Sequence, residues 1–425
     1  MNDMSVVRLA DVAELSGGYA FKSEQYKSSG HFVLRTVNIR DDCSVTRDGA
    51  TFIAANEVRE FARFALREHD TLFVMVGATL GKVGYVRPRD VPALLNQNMW
   101  VVRAIPGKID PVFLHYCFRE LSKIPLAWAS GSARGFLRRD DVRNLTFSLP
   151  PITDQHALGE LLQSLDDKIE LNRRMNETLE AMARAIFKDW FVDFGPTRAK
   201  MEARAPYLVA EIWSLFTDRL DDEGKPEGWI LGTLGDVARQ TGEAVKPEAL
   251  DPSTPYIGLE HMPRKSIALS DWEGAGKVTS GKLAFRKGDF LFGKLRPYFH
   301  KAGIAPLDGI CSTYIVVLNS REQRAAAFVL ACISQDEFVA FTDRTSDGTK
   351  MPRTSWGRME RYGLCLPSAS VLEAFNTCVE PMLDRIVSNI HESRALAVTR
   401  DFLLPRLMSG EVRVKDAEKL VGEAT

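Results

Sequence analysis

Residues Leu149 to Pro196 read LPPITDQHALGELLQSLDDKIELNRRMNETLEAMARAIFKDWFVDFGP. After the Pro150-Pro151 stop, apolar residues return at helical spacing for about ten turns, far beyond the three or four turns of an average globular helix. The stretch reads as a spacer rod and not as a piece of core. Written as heptads, it puts Leu158, Leu165, Asn172, Leu179 and Ile186 at one seam position, and Leu161, Lys168, Met175, Met182 and Asp189 at the other. Leu162, Ile169, Ala183 and Trp190 lie one position further on, so the stripe is wider than a strict two-stranded seam. It could hold a partner helix plus something else. A polar Asn172 in the seam costs stability and fixes the register of pairing.

A second rod follows much later. It opens on the capping-box pattern Ser370-Val371-Leu372-Glu373 and continues through Phe375, Val379, Met382, Ile386, Ile390, Leu396 and Leu403, mostly three or four apart. Pro381 inside it removes a helical hydrogen bond and crowds the preceding turn, which predicts a kink or a restart. Two long amphipathic helices in one chain most economically bury their stripes against each other as an antiparallel pair. The alternative is that each packs on its own domain. At ~1.5 Å per residue, a rod of roughly 30 to 37 residues spans on the order of 45 to 55 Å. Two domains held so far apart suit a target with two recognition elements at fixed spacing, such as duplex DNA at ~3.4 Å per base pair.

Outside the rods the chain repeats itself. Leu9-Ala10-Asp11-Val12 is answered by Leu234-Gly235-Asp236-Val237, and Arg67 to Phe73 by Arg286 to Phe292. Ser130-Gly131-Ser132-Ala133-Arg134 is answered by Asp347-Gly348-Thr349-Lys350-Met351, and Leu149-Pro150 by Leu366-Pro367. Four landmarks in one order make two copies of one plan, a globular domain followed by a long helix, with the drift of the offset absorbed by loops. Within the copies, β-type runs (70–76, 99–103 and 145–149; 289–292, 313–318 and 362–366) mix with helical stretches at 111–121 and 325–333. The expected fold class is mixed α/β (α+β), with two recognition domains joined by two long helices that pair as an antiparallel coiled coil. The expected boundaries are 1–150 and 228–367 for the domains, 151–195 and 368–410 for the helices, 196–227 for a linker holding a short helix, and 411–425 for a polar tail.

The 425 residues allow two to three domains, and 45% hydrophobic with 26% charged residues places the chain among ordinary globular proteins. No apolar run reaches the roughly 18 to 20 residues of a membrane span, and MNDMSVVRLADV lacks signal-peptide features, so a cytoplasmic location is expected. The six cysteines show no CxxC pair and no zinc-ligand spacing, and read as reduced thiols. A net charge of −1 hides a partition. Residues 1–150 hold 20 Lys+Arg against 16 Asp+Glu, residues 228–367 hold 18 against 15, and residues 154–190 hold 5 against 8. The domains are mildly basic and the spacer is acidic, which fits globular ends on phosphates and a rod that faces protein.

Two pairs of loops carry the candidate DNA contacts. Ser130 to Arg139 is a small-residue loop running into arginines, and Gly348 to Arg353 has the same character. Glycine permits close approach, hydroxyls and backbone N–H groups bond phosphate, and Arg can take a guanine edge in bidentate fashion. The candidates are Gly131, Ser132, Arg134, Arg138 and Arg139 in one copy, and Thr349, Lys350 and Arg353 in the other. The second pair matches Gly77 to Lys82 with Gly293 to Lys301, contributing Lys82, Lys294, Arg296, Tyr298 and Lys301. A solvated basic turn is the plainer reading of the first pair, whereas Lys294, Arg296, His300 and Lys301 with two aromatics in eight residues suit DNA better than an ordinary surface. For helix pairing or partner docking the candidates are Leu158, Leu165, Asn172, Leu179, Ile186 and Trp190 on the first rod, and Phe375, Met382, Ile386 and Leu396 on the second.

Catalytic signatures are missing. Gly77-Ala78-Thr79-Leu80-Gly81-Lys82-Val83 is one residue short of a Walker loop and puts Val83 where the Mg²⁺ hydroxyl belongs. Gly274-Ala275-Gly276 has no third glycine at dinucleotide spacing, no HExxH or GxSxG occurs, and no Asn/Asp-Pro-Pro-aromatic motif is present. No catalytic or metal-binding residue is therefore assigned. A self-sufficient nuclease or methyltransferase half and a purely structural coiled-coil adaptor remain the competing classes.

The chain closely resembles the specificity subunits of Type I restriction-modification systems. The residues that carry the resemblance are Leu149-Pro150-Pro151 with Gln155, the Asp166 to Arg173 block, the Phe187 to Phe194 block, Pro226 to Trp229, Lys294 to Tyr298 and Leu403 to Glu411. The resemblance implies two target-recognition domains that each read one half of a split, asymmetric DNA sequence, with the paired helices setting the gap. It implies partners as well: double-stranded DNA, two DNA methyltransferase subunits that bring S-adenosylmethionine, and motor-endonuclease subunits that use ATP and Mg. It also implies adenine methylation by base flipping, done by the partner and aimed by this chain. One departure is Ser368-Ala369-Ser370 after Pro367, which lacks the second proline and the Gln of the first copy.

Overall fold

A computed structural model describes residues 4–77, 79–124, 126, 137–417 and 419. The chain divides into two compact units, Met1–Asp167 with Leu396–Thr425, and Lys168–Ala395.

In the first unit the strands are β1 (Ser5–Arg8), β2 (Ala13–Gly17), β3 (His31–Leu34), β4 (Thr51–Ile53), β5 (Thr71–Val74), β6 (Val83–Tyr85), β7 (Ala93–Leu95), β8 (Met99–Ala104) and β9 (Thr146–Leu149). They form a four-stranded antiparallel sheet in the order β2-β8-β5-β6, a three-stranded sheet β4-β3-β7 with β3 and β7 parallel, and a two-stranded ribbon of β1 with β9. The centre of the larger sheet is an unbroken apolar run: Leu72, Phe73 and Val74 are wholly buried. Such a run, rather than an alternating one, is what a strand covered on both faces requires. The helix Pro111–Leu121 packs on this sheet, its first turn set by Pro111 at N1 and by Asp110, which accepts the Phe113 N–H at 2.8 Å.

The second unit repeats the plan with β10 (Ile230–Thr233), β11 (Ala238–Gln240), β12 (Glu243–Val245), β13 (Pro255–Ile257), β14 (Glu273–Gly274), β15 (Lys282–Phe285), β16 (Phe290–Gly293), β17 (Ala302–Ile304), β18 (Gly309–Cys311), β19 (Ile315–Ser320) and β20 (Gly363–Leu366). Here β11-β19-β16-β17 corresponds to β2-β8-β5-β6, and β10 with β20 corresponds to β1 with β9. The remaining sheet, β12-β15-β18-β13-β14, again contains one parallel pair, β13 with β18. Equivalence extends to single bonds. Asp70 accepts the Arg67 N–H at 2.7 Å, and Asp289 accepts the Arg286 N–H at 2.8 Å. The Leu9 N–H donates to the Leu145 carbonyl at 2.8 Å, and the Leu234 N–H to the Tyr362 carbonyl at 2.9 Å. The six β-type runs read from sequence are all strands, with no end shifted by more than two residues, and both predicted helical stretches are helices.

Two long helices, Ile152–Phe187 and Ala369–Ser409, complete the units. Three expectations about them are corrected. The second helix runs unbroken through Pro381, whose flanks Val379 and Leu383 are buried in the core, so packing overrides the lost hydrogen bond and no restart occurs. It also starts before the Ser370 capping box: the Ser368 carbonyl already accepts from Val371 and Leu372, both at 3.1 Å. Finally, the second seam position of the first helix lies one residue later than the heptad reading placed it. Leu162, Asn176, Ala183 and Trp190 are buried, whereas Met182 is 47% exposed. The polar Asn176 at this position disguised the true stripe. Two short helices, Gly195–Met201 and Ala210–Trp213, occupy the stretch between the copies. Among the described residues no single helix is long and apolar enough to cross a membrane.

Candidate nucleic-acid interface

In the second unit the two loops singled out from sequence come together. The Arg296 N–H donates to the Pro352 carbonyl at 2.7 Å, and the Thr354 N–H to the Lys294 carbonyl at 3.0 Å, so Lys294 to Lys301 is zipped to the hairpin at 347–353. The hairpin is closed by reciprocal backbone bonds between Asp347 and Arg353 at 3.0 and 2.9 Å, with Gly348 taking the positive φ of 88° that the turn needs. Thr349, Lys350 and Arg353 are exposed on it. Arg296 adopts a left-handed backbone (φ 51°) and directs its guanidinium toward Phe299, 5.9 Å from the ring centre, while Arg264 covers the same ring at 4.1 Å. Tyr298 stands out at 49% exposure beside Phe299.

Not every candidate faces outward. Lys301 donates its ammonium to the Leu259 carbonyl, and burial followed by the nearby Arg264 holds its pKa below the ordinary lysine value. His300, on the same loop, is buried between the Ser334 carbonyl and Asp336, at 3.0 and 3.1 Å. Lys294 is half-buried, and desolvation followed by the adjacent Arg353 lowers its pKa. A cleft of 390 Å³ opens along Asp347, Gly348, Met351, Arg353, Thr354 and Ser355. The buried Thr354 hydroxyl has no hydrogen-bond partner among the described residues.

In the first unit the corresponding loop places Lys82 against Asp41 at 2.7 Å. Backbone bonds fix the correspondence: Val74 N–H to the Lys82 carbonyl matches Gly293 N–H to the Lys301 carbonyl, and Met75 N–H to Asn98 matches Lys294 N–H to Tyr314. Arg138 is exposed and its N–H donates to Asp141 at 3.3 Å at the start of the short helix Arg139–Arg143. The Arg139 guanidinium lies 6.0 Å from the Trp100 ring. Gly131, Ser132 and Arg134 lie outside the described residues. Sequence reading missed Arg264 and Tyr314, which stand on neighbouring loops and join the cluster only through the fold.

The pairing candidates divide between the units. In the first unit Leu158 and Leu165 are buried, as is Leu396 of the second helix. A polar knot lies beside them: the Tyr116 hydroxyl donates to Asp166 at 2.7 Å, Arg400 pairs with Asp166 and Asp401, and Arg119 stands 3.7 Å from Asp166. Burial works against the Arg400 charge, but Asp166 and Asp401 hold its pKa above the ordinary arginine value. In the second unit Asn172 is fully buried and donates to Glu392 at 2.7 Å, Asn389 donates to Asn176 at 2.8 Å, and Lys168 meets Glu392 at 3.2 Å. Residue numbers fall on one helix as they rise on the other, so the helices run antiparallel. On the second helix Leu372, Val379, Ile386 and Ser393 hold one heptad position, and Phe375, Met382 and Asn389 the other. Leu179, Ile186 and Met382 are partly buried against the same core, while Phe375 and Ile386 are fully buried. Trp190 sits in the π-helical turn Lys188–Val192, with ring centres 5.2 Å from Phe216 and 5.8 Å from Phe375. The Asp166 to Arg173 and Phe187 to Phe194 blocks thus hold helices and core together, through polar bonds in one case and aromatic packing in the other.

Residues 1–181 match the family model of the Type I restriction modification DNA specificity domain. The chain is 23% identical to the Type I restriction enzyme MjaIX specificity subunit of Methanocaldococcus jannaschii, over 97% of this chain and 94% of the relative. It is 24% identical to the HindI specificity subunit of Haemophilus influenzae, over 64% of this chain and 70% of that one. In fold it is similar to the crystal structure of a Type I restriction-modification S subunit from M. genitalium, with a TM-score of 0.56, 15% identity and 96% of both chains covered. The chain as a whole is therefore similar from end to end to Type I restriction enzyme specificity subunits, with the match to their DNA specificity domain lying in residues 1–181.

Proposed function

We propose that this chain is the DNA-reading subunit of a Type I restriction-modification complex, in which each of its two repeated units reads one half of a bipartite, asymmetric duplex target. The observation that carries the reading is the repeat itself: two copies of one fold that bear different side chains on equivalent loops, Met75 and Asn98 in one and Lys294 and Tyr314 in the other. One scaffold with two loop chemistries suits two different half-sites. In this reading the chain carries out no reaction. Two methyltransferase subunits supply S-adenosylmethionine and modify an adenine, motor-endonuclease subunits supply ATP-driven cleavage, and this chain scaffolds both.

Exchanging residues 1–148 for the equivalent segment of a relative tests the proposal, with modified adenines mapped after methylation by the assembled complex. One half of the target changes and the other stays. A change in both halves, or binding that is indifferent to salt between 50 and 200 mM, overturns it, because phosphate contacts release counterions and weaken steeply as salt rises.

A further inference from the structure

The hairpin at 347–353 presents one arginine in an unusual setting. Arg353 is exposed, yet its backbone is fixed on both sides by the reciprocal bonds to Asp347, and its guanidinium lies 4.9 Å from the centre of the Tyr314 ring. The nearest acidic group on the same hairpin is already engaged: the Asp347 carboxylate takes Arg358 at 2.6 Å. Among the described residues no carboxylate lies within ion-pair distance of Arg353. Its neighbour is another cation, Lys294, whose backbone is bonded to both Tyr314 and Thr354.

This arrangement concentrates positive charge without compensating it, and a protein surface usually disperses such charge. An aromatic ring beside the guanidinium restricts its rotation, and the exposure of the side chain leaves an N–H edge open to a ligand. That edge carries two parallel donors, which match the paired acceptors O6 and N7 that guanine alone displays in the major groove. A lysine beside it supplies a point charge for the backbone.

We propose that Arg353, seated on Tyr314, reads a guanine in the half-site bound by the second unit, with Lys294 holding an adjacent phosphate. The inference rests on the DNA-reading role above and deepens it by assigning a base to a residue. In the first unit the position of Tyr314 is taken by Asn98 and that of Lys294 by Met75, so the same arrangement is not built there.

The experiment is selection of bound duplexes from a randomised DNA pool by the full chain, at fixed salt, for the wild type, Arg353→Ala, Arg353→Lys and Tyr314→Ala. The wild type is expected to enrich a motif with a guanine in one half. Arg353→Ala then loses preference for that guanine by about 10- to 100-fold and leaves the other positions unchanged. Arg353→Lys keeps the charge but not the fork, and loses most of the preference too. Tyr314→Ala relaxes the same position to a lesser degree. A motif that Arg353→Ala leaves intact while every sequence binds more weakly makes Arg353 a phosphate contact and overturns the inference, with the DNA-reading role still standing. A wild-type motif without guanine also overturns it. No enrichment by the wild type at all overturns both readings together.

Discussion

Asn172 lies fully buried in the seam between the two long helices and donates its amide to the Glu392 carboxylate at 2.7 Å, while its own carbonyl oxygen has no hydrogen-bond partner among the described residues. Half of the amide is therefore satisfied and half is not. The two halves oppose each other energetically, since a bond to a charged acceptor contributes about 1.5 to 3 kcal/mol and an unpaired buried oxygen costs about 1 to 3.

Asn172→Leu is expected to change stability by no more than about 1 kcal/mol, because the lost bond is offset by removal of the orphaned oxygen and by apolar burial, and Glu392 keeps Lys168. Asn172→Asp is expected to cost about 3 kcal/mol, since it buries a carboxylate against another. Urea denaturation followed by tryptophan fluorescence separates the two. Equal losses would show that Asn172 is a packing residue whose chemistry does not matter.

The seam illustrates what the sequence discloses and what it conceals. Leu158, Leu165, Phe375 and Ile386 were legible because apolar side chains at heptad spacing have one economical fate, which is burial. The other seam position was misread by one residue. There the chain carries Asn176, and a buried amide looks like a surface residue until its partner Asn389 is seen across the interface. The strands at Thr71–Val74 and Met99–Ala104 were legible for the same reason as the leucines. The loop cluster was only half legible. Its residues stand out as basic and aromatic, but Lys294 and Thr354 are sixty positions apart, and no local rule predicts the backbone bond that joins them. Nor does the sequence distinguish Arg353, which faces out, from Lys301, which is spent on the Leu259 carbonyl.

The repeat supplies an internal comparison. Asp70 and Asp289 occupy equivalent turns, but Asp70 is met by Arg103, at 2.5 and 2.7 Å, and Asp289 by the Asn319 amide at 2.8 Å. Asp70 is 2% exposed, so removing its cation leaves a buried charge held by little more than the Arg67 N–H. Arg103→Ala is expected to cost about 3 to 5 kcal/mol, the usual penalty for breaking a buried pair from one side. Asn319→Ala removes only a neutral donor and is expected to cost about 1.5 to 3 kcal/mol. Chemical denaturation of the two variants checks the order, and a larger loss for Asn319→Ala would mean that Asp70 finds other partners.

Acid sensitivity between pH 7 and 5 should come largely from buried histidines. His115 lies wholly inside the first unit, its ring 4.4 Å from that of Tyr85, and burial, reinforced by Arg119, Arg87 and Arg400, holds its pKa well below the ordinary 6.5. Below pH 6.5 the unfolded chain takes up a proton at this position that the folded chain refuses. Stability from His115 is therefore complete above pH 6.5 and is lost as the pH falls from there toward the depressed folded value. His300 and His31, also lowered chiefly by burial, act in the same sense. Glu180 and Asp90 act in the opposite one, because burial raises their carboxyl pKa values and their contribution grows as the pH falls. The readout is thus the difference between wild type and variant and not the raw slope. His115→Gln, which cannot take up the proton, should lower stability at pH 7, where the Thr71 contact at 3.4 Å and the ring packing are disturbed, and should narrow its deficit at pH 5. A deficit that stays constant from pH 7 to pH 5 would show that His115 ionises equally in both states.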